Sequence, residues 1–343
     1  MIFHGNSLHV LKQIEDNKYT AIVTDPPYAL EFLGKEWDKT LPDKRIWEEL
    51  LRVTKPGGWI MAFGGSRTFH RLAVDIEDAG WNLRDTMMWL YGTGFPTGND
   101  ISKAIDKTLG AERSHVIVPM KKIRNSKVVG GGKDTGIDGT RPYIKRARER
   151  GFHVMESDIP VTPKAKSFQG YNTTLKPSYE PIVLAMKPLE GSYAQNALRF
   201  GVSGLNLGGL RKLNGGDKSK WPCNVIMDHI AYQQIERESL GKLKSNNRTF
   251  YVAKPNKAEK GKFNTHPTVK PLQLMRYLLQ MVKMPNNQTY ILDPFCGSGT
   301  TLVAAEQIGV RCDGIEMNEE YIEIIKKRIE NIRQQKAKKR KRK

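Results

Sequence analysis

A chain of 343 residues, 38% of them hydrophobic, can bury the core of one large α/β domain, or of such a domain carrying a substantial insertion. A formal charge of +20 points to a polyanionic partner, nucleic acid first, while three scattered cysteines and seven histidines offer neither a disulfide framework nor a metal motif. No apolar run approaches the roughly 18 residues that span a bilayer, and "MIFHGNSLHVL" lacks the basic start and long apolar stretch of a signal peptide, so a soluble intracellular protein with no membrane partner is expected.

In chain order, "MIFHG" reads as a short strand. "SLHVLKQIED" follows as a helix with Leu8, Leu11 and Ile14 on one face. "YTAIVTD" is a buried strand, "RIWEELLRVT" a helix stopped at "KPGG", "WIMAFGG" the next strand and "RTFHRLAVDIEDAG" the next helix. "TMMWLYG" and "EPIVLAMK" are further strands. "TVKPLQLMRYLLQMV", "TYILD", "TTLVAAEQIG", "VRCDGIE" and "NEEYIEIIKKRIENI" then alternate helix and strand to the C-terminal region. This alternation predicts a doubly wound, mostly parallel α/β sheet. Residues 111–170 and 189–262 have another texture, basic, glycine-rich and weakly periodic, and read as inserted. The last stretch carries eight of the positive charges, from Arg333 to Lys343, and reads either as a solvated disordered end or as a phosphate-binding arm.

Two constellations carry chemistry. Asp25-Pro26-Pro27-Tyr28 follows a buried strand directly, and two prolines end that strand because they offer no N–H to the ladder. Four specified residues at usages of roughly 5% each arise by chance only a few times in a thousand such chains. Ligands of open α/β sheets bind at the carboxyl ends of strands, where this tetrapeptide falls. The second is "LDPFCGSGTT", residues 292–301, in which Gly297 and Gly299 permit a tight turn and close approach of a ligand to the backbone. Leu302 stands where a dinucleotide fingerprint wants its third glycine, and the Gly-Lys-Ser/Thr of a P-loop is absent. Glu316 ends the next strand, 17 residues beyond Gly299, and suits two ribose hydroxyls. The expected ligand is a nucleoside that needs no phosphate cradle.

With "LRVTKPGGWIMAFGG", "WLYGTGFP", "LKPSYEPIVLAMKP", "WPCNVI" and "HPTVKPLQLMRYLL", these motifs resemble the beta group of DPPY-type DNA amino-methyltransferases, over most of residues 1–110, 168–226 and 250–333. The resemblance implies a circularly permuted, seven-stranded-type methyltransferase sheet with an inserted basic target-recognition region. Few residues precede the DPPY strand, so the cofactor half must come from the other end of the chain, and "MIFHG" is expected beside "TYILD" and "VRCDGIE". The implied division is a catalytic half (1–110), an insertion (111–167), a return strand (168–188), a target-recognition region (189–262), a cofactor half (263–332) and a basic tail (333–343).

The implied activity is transfer of the methyl group of S-adenosylmethionine to adenine N6 in double-stranded DNA. Asp25, Pro26, Pro27 and Tyr28 would be catalytic. Asp293, Phe295, Gly297, Ser298, Gly299, Thr300 and Glu316 would hold the cofactor, with His266 and Thr268 of "HPTVK" beside its methionine end and Asn6, where the family usually has an acid, near the adenine. Hydrogen bonds from the amino group to the Asp25 carboxylate and the Pro26 carbonyl would localise the nitrogen lone pair for in-line attack, with Tyr28 stacked on the base. A paired base cannot reach such a pocket, so it must be flipped out. A homodimer, a cognate restriction endonuclease, and the cytoplasm of a prokaryotic or virus-infected cell complete the implied setting.

Cytosine N4 is the nearest alternative, since the same geometry serves its amino group, although the resembling enzymes that act there more often have serine where Asp25 stands. A catalytically dead DNA-binding protein of this fold is a second. Pro222-Cys223 raises cytosine-C5 chemistry, but direct transfer to an amino group needs no cysteine nucleophile. Phe32 and Trp37 read either as base-side aromatics or as core, Lys270 either as a cofactor contact or as a solvated residue, and Cys296 as a space-filler.

Overall fold

The computed structural model describes residues 1–30, 36–92, 98–119, 150–213, 222–238, 250–251, 259, 263–285 and 287–341. Phe32, most of the 111–167 stretch and much of 189–262 lie outside the described residues. The chain opens with β1 (Ile2–His4), α1 (Ser7–Leu11), β2 (Tyr19–Thr24), a 3-10 turn (Glu36–Asp38), α2 (Lys44–Val53), β3 (Thr54–Phe63), α3 (Phe69–Asp78) and β4 (Asn82–Leu90). Next come α4 (Ile101–Thr108), β5 (His115–Pro119), β6 (Phe152–Glu156) and α5 (Pro163–Ser167). The remainder supplies β7 (Tyr179–Met186), α6 (Tyr193–Phe200), α7 (Leu207–Leu213), β8 (Val225–Met227), α8 (His229–Glu238), β9 (Phe250–Tyr251), α9 (Leu272–Met281), β10 (Tyr290–Asp293), α10 (Thr300–Ile308), β11 (Arg311–Glu316) and α11 (Glu319–Lys341). Two compact units result: Met1–Gly92 with Tyr179–Lys343, and Thr93–Ser178.

In the first unit nine strands form one sheet in the order β1-β11-β10-β2-β3-β7-β4-β8-β9. Every neighbouring pair is parallel except those made by β7, which runs antiparallel between β3 and β4. The permutation read from motif order is present. Ile2 pairs with Gly314 and His4 with Glu316, while Ala21 pairs with Ile291, so the first and last segments build one half of the sheet together. The sheet exceeds the expected seven strands because β8 and β9 extend its edge beyond β4.

β2 sits in the middle of this sheet, and all six of its residues are buried. A strand covered on both faces reads as a continuous apolar run rather than as an alternation. Its two faces feed two cores. Ala21 and Val23 join Met61, Phe63 and the buried face of α9, while Ile22 joins Ile60, Ala62, Trp47 and Leu50. Ile46, Trp47, Leu50 and Val53 line one side of α2, whose first turn is capped by Asp43 accepting from the Arg45 N–H. β3 starts at Thr54, earlier than its apolar run suggests. The "KPGG" segment is taken into the strand at the cost of a register shift against β2, with Gly57 at φ +72°.

In the second unit β5 and β6 pair antiparallel, and the Asp106 carboxylate is buried with Arg113. Asp106 also accepts from the Val161 and Thr162 backbone N–H groups and the Thr162 hydroxyl, so the buried pair is satisfied. Helix α4 belongs to this unit. The basic end of the chain is not a coil. α11 continues through Lys341, since lysine, arginine, glutamine and alanine are good helix formers and cations near a helix C-terminus complement its dipole. Among the described residues no helix is long and apolar enough to cross a membrane.

Candidate active site

At the carboxyl end of β2 the chain turns at Pro26, which is buried, and presents Asp25 and Tyr28 half-buried. The turn is held at three points. The Tyr28 N–H donates to Asp38 Oδ1 (2.7 Å), the Thr68 hydroxyl donates to the Tyr28 carbonyl (2.8 Å), and the Tyr28 hydroxyl donates to Asp25 Oδ1 (2.6 Å). Ala29 follows at φ +55°, a conformation that costs a non-glycine residue about 1–2 kcal/mol. Asp38, from the 3-10 turn, is almost wholly buried and so fixes Tyr28 from beneath.

Lys270 completes this corner from the segment before α9. Its ammonium donates to Asp25 Oδ2 (2.5 Å) and the Tyr28 hydroxyl (3.1 Å), pairs with Glu180 Oε2 (3.1 Å), and lies over the rings of Tyr28 and Phe63. Glu180, at the start of β7, also accepts from the Tyr28 hydroxyl (3.3 Å). Lys270 is therefore buried in an ion cluster rather than solvated. Burial alone would pull its pKa down, but Asp25 and Glu180 more than offset this and hold it above the ordinary lysine value. Burial, together with the same two carboxylates, pushes the Tyr28 phenol well up, so it stays a donor at neutral pH.

The second motif lies beside the first because β10 is parallel to β2. The Thr24 hydroxyl, one residue before Asp25, donates to Asp293 Oδ1 (2.7 Å). Asp293 also accepts from the Thr301 hydroxyl (2.5 Å) and the Phe295 N–H (3.2 Å). Burial raises its pKa to about 6 against these donors. Beyond it the chain turns through Gly297 (φ +50°) and Gly299 (φ +79°) into α10. A Cβ on Gly297 would stand 2.8 Å from His266 Nε2 and displace that ring, and one on Gly299 would stand 2.7 Å from the buried Ile325 of α11, which leaves it no room. Arg328, buried on α11, donates to the Ser298 carbonyl (2.6 Å) and contacts the Ser298 and Thr300 hydroxyls (3.2 Å each), pinning the loop from behind.

The segment 264–270 lies over this loop. Asn264 donates to Ser298 Oγ (3.2 Å) and accepts from the His266 N–H (3.0 Å). The His266 ring stacks on Trp37 at 6.0 Å and meets Tyr321 at 4.5 Å. Burial pulls its pKa down to about 4, against the opposing pull of the Thr268 carbonyl and Asp25. The imidazole is therefore neutral at pH 7. Its Nδ1 lies 2.5 Å from the Thr268 carbonyl, which makes Nδ1 the donor and leaves Nε2, facing Gly297, as an acceptor. Among the described residues the indole N–H of Trp37 is buried without a partner.

At the end of β11, burial raises the Glu316 carboxyl, while backbone N–H groups of Asn318, Gly297 and Met317 oppose the shift. The Gly5 N–H donates to the Glu316 carbonyl (3.0 Å), so Asn6 sits beside this strand end, where its exposed side chain caps α1 through the Leu8 N–H. The expected set thus gathers around one end of the sheet. Two members turn inward, however. Asp293 is spent on three protein donors, and the Phe295 ring packs against Trp47 at 6.4 Å. Thr268 is exposed and enters through its carbonyl. Cys296 is buried in the turn and Cys223 is exposed. Glu180 and Arg328 were missed from sequence because only long-range pairing brings them here, and Asp38, close in sequence to Tyr28, because a lone acid on a short turn forms no pattern. Tandem glycines at which a Cβ would clash, a buried unpartnered indole N–H, a neutral imidazole acceptor and a carboxylate at the neighbouring strand end fit S-adenosylmethionine, a ligand with a ribose and an amino-acid end but no phosphate.

Comparison with known proteins agrees. The family described as DNA methylase, of the N6/N4 type, matches residues 19–327. The type II methyltransferase M.HindIII of Haemophilus influenzae is 23% identical, over 92% of this chain and 91% of its own length. M.HpaI of Haemophilus parainfluenzae is also 23% identical, over 95% of this chain and 73% of its own. Among solved structures, the PvuII DNA methyltransferase (cytosine-N4-specific) shares the fold at a TM-score of 0.50 and 15% identity, covering 97% of this chain and 89% of that one. The chain belongs to the N6/N4 DNA methylase family, S-adenosylmethionine-dependent methyltransferases of duplex DNA.

Proposed function

We propose that the base modified is adenine and the atom its N6. The observation that carries this reading is a carboxylate, Asp25, at the corner where β2 meets the glycine turn, held by the Tyr28 hydroxyl on one oxygen and the Lys270 ammonium on the other. An exocyclic amino nitrogen is a poor nucleophile because its lone pair is delocalised into the ring. Asp25 and the Pro26 carbonyl accept from its two N–H groups, draw it toward tetrahedral geometry and stabilise the positive charge that grows as it attacks. Proline at position 26 fixes that carbonyl without reorganisation, and the three clamps on Tyr28 keep the turn rigid. The flipped base rests against the Tyr28 ring.

The cofactor supplies an electrophilic methyl carbon on its sulfonium. On this reading Glu316 accepts from the ribose hydroxyls, and the backbone at Gly297, Ser298, Gly299 and Thr300 faces the methionine end. α10 begins there without a side-chain cap, so its first N–H groups stand ready for a carboxylate. His266 Nε2 offers an acceptor beside the same turn. Asp293 serves by holding β2, β10 and α10 in register through Thr24 and Thr301. Target recognition falls mainly to the basic region 189–262, with the 111–167 insertion contributing, since their lysines and arginines suit phosphates and base edges.

The test is base-resolution mapping of modified positions in DNA from cells expressing the wild type or Asp25→Ala. N6-methyladenine in one sequence context, absent from the variant, is the expected outcome. N4-methylcytosine in its place overturns the adenine reading, and modification by Asp25→Ala at the wild-type level overturns the role of Asp25.

A further inference from the structure

We infer that Glu180 is a further residue of the transfer reaction, and that its charge keeps the buried corner net negative so that the corner favours positive charge on the amino nitrogen over the neutral amino group of the bound base, as that charge passes from the donor's sulfonium to the nitrogen. The inference rests on the role of Asp25 given above. Three ionised groups meet there. Lys270 touches Asp25 Oδ2 at 2.5 Å and Glu180 Oε2 at 3.1 Å, so one ammonium is shared by two carboxylates. Their side chains are only 11%, 26% and 19% exposed, so water screens them weakly. The sum of charge is minus one. Without Glu180 it is zero, because Lys270 then cancels Asp25 completely.

That difference acts selectively. The amino group arrives neutral and interacts little with a net charge, whereas in the transition state it carries developing positive charge. The charge that develops there leaves the donor's sulfonium, which lies farther from the corner, so Glu180 contributes more in the transition state than in the bound state. Glu180 Oε2 and Asp25 Oδ2 share the Lys270 ammonium and so lie less than about 6 Å apart, a separation at which a unit charge in a weakly screened site changes a rate by roughly tenfold to a hundredfold. Glu180 also gives Lys270 a second partner. The ammonium can lean onto it and release a lone pair of Asp25 for the incoming N–H.

The test is a charge-balanced double-variant cycle, with kcat and KM measured on duplex DNA carrying the mapped site and donor affinity measured by calorimetry. Glu180→Gln is expected to lower kcat about tenfold to a hundredfold, with both KM values and donor affinity within about twofold of wild type. Glu180→Asp keeps the charge and is expected to recover most of the rate. In Glu180→Gln with Lys270→Met both opposed charges are gone and the corner is again minus one. This double variant is expected to be faster than Glu180→Gln alone, a sign that hydrogen bonding or packing by Glu180 would not produce. Glu180→Gln alone keeps Lys270 paired with Asp25, the double variant leaves Asp25 held by the Tyr28 hydroxyl, and donor affinity reports that each variant is folded. Wild-type kcat in Glu180→Gln, a loss confined to KM, or a double variant no faster than Glu180→Gln each overturns the inference. Asp25→Ala, measured alongside, separates the two readings: its inactivity with an unaffected Glu180→Gln defeats this inference only, whereas its full activity defeats the reading of Asp25.

Discussion

The two glycines of the donor loop are expected to fail differently when each is replaced by alanine. Both have positive φ, so either replacement costs about 1–2 kcal/mol from backbone conformation alone. Their surroundings then separate them. The Cβ of Gly299→Ala would stand 2.7–3.2 Å from three atoms of Ile325, a fully buried residue of α11 that cannot swing away. Such overpacking adds about 1–3 kcal/mol, for a total of roughly 2–5 kcal/mol. The Cβ of Gly297→Ala meets only the tip of His266, a half-buried ring at the opening of the site that can move. Gly299→Ala is therefore expected to lower the melting temperature by about 4–10 °C, and Gly297→Ala by half that or less. Donor affinity should rank the other way for its size: Gly297→Ala displaces the neutral imidazole that lines the turn and is expected to lose about tenfold or more in binding while staying folded. Thermal unfolding and calorimetric titration with S-adenosylmethionine on both variants read these quantities. A Gly299→Ala protein no less stable than Gly297→Ala would refute the packing argument, and unchanged donor binding by Gly297→Ala would refute the placement of His266.

Asp293 makes stability pH-dependent in an unusual direction. Its folded pKa, about 6, lies above the ordinary carboxylate value, so its contribution is fully present below pH about 4 and is lost as pH rises through 6, by up to roughly 3 kcal/mol. Asp293→Asn is expected to gain relative to wild type between pH 4 and 7 in urea denaturation, and an unchanged difference across that range would contradict the burial of the charge. Arg328→Met removes the donors to the Ser298 carbonyl and to two hydroxyls, and should cost about 2–4 kcal/mol and weaken donor binding, read by the same unfolding and calorimetric assays. Asp313 accepts from the hydroxyls of Tyr19 (2.9 Å) and Tyr290 (2.6 Å) and pairs with the N-terminal ammonium (2.6 Å); Asp313→Ala leaves the buried Tyr19 hydroxyl without its acceptor and should cost about 2–4 kcal/mol in denaturant unfolding, with Tyr19→Phe in that background restoring part of it.

Much of this was legible because strands covered on both faces write themselves as unbroken apolar runs: "YTAIVT", "WIMAF" and "PIVLAM" each became a strand. The permuted order also followed from where two motifs fall in the chain. What stayed hidden has a common cause. Glu180 and Lys270 lie in stretches that mark the family without tying either residue to Asp25, and their meaning comes from an antiparallel strand and a loop that converge on Asp25 from far along the chain. Arg328 looks like any basic residue of an amphipathic helix until its guanidinium is found under Ser298. β8 and β9, three and two residues long, fall below what periodicity can register. The helical state of the basic tail was obscured by its charge, which dominates composition but says little about backbone propensity.

The marriage of first and last strands in one sheet also dictates how this protein must be born. Thr24 and Asp293, which clasp across β2 and β10, are separated by 269 residues. At a synthesis rate of roughly 5–20 residues per second, β2 leaves the ribosome about 13–54 seconds before its neighbour exists. During that interval it can zip onto β3 on one side only, and its other edge stays an open apolar template. A nascent chain stalled ahead of residue 290 would hold a finished catalytic corner with no donor loop and an adhesive flank. The strand order thus leaves that flank uncovered until β10 emerges.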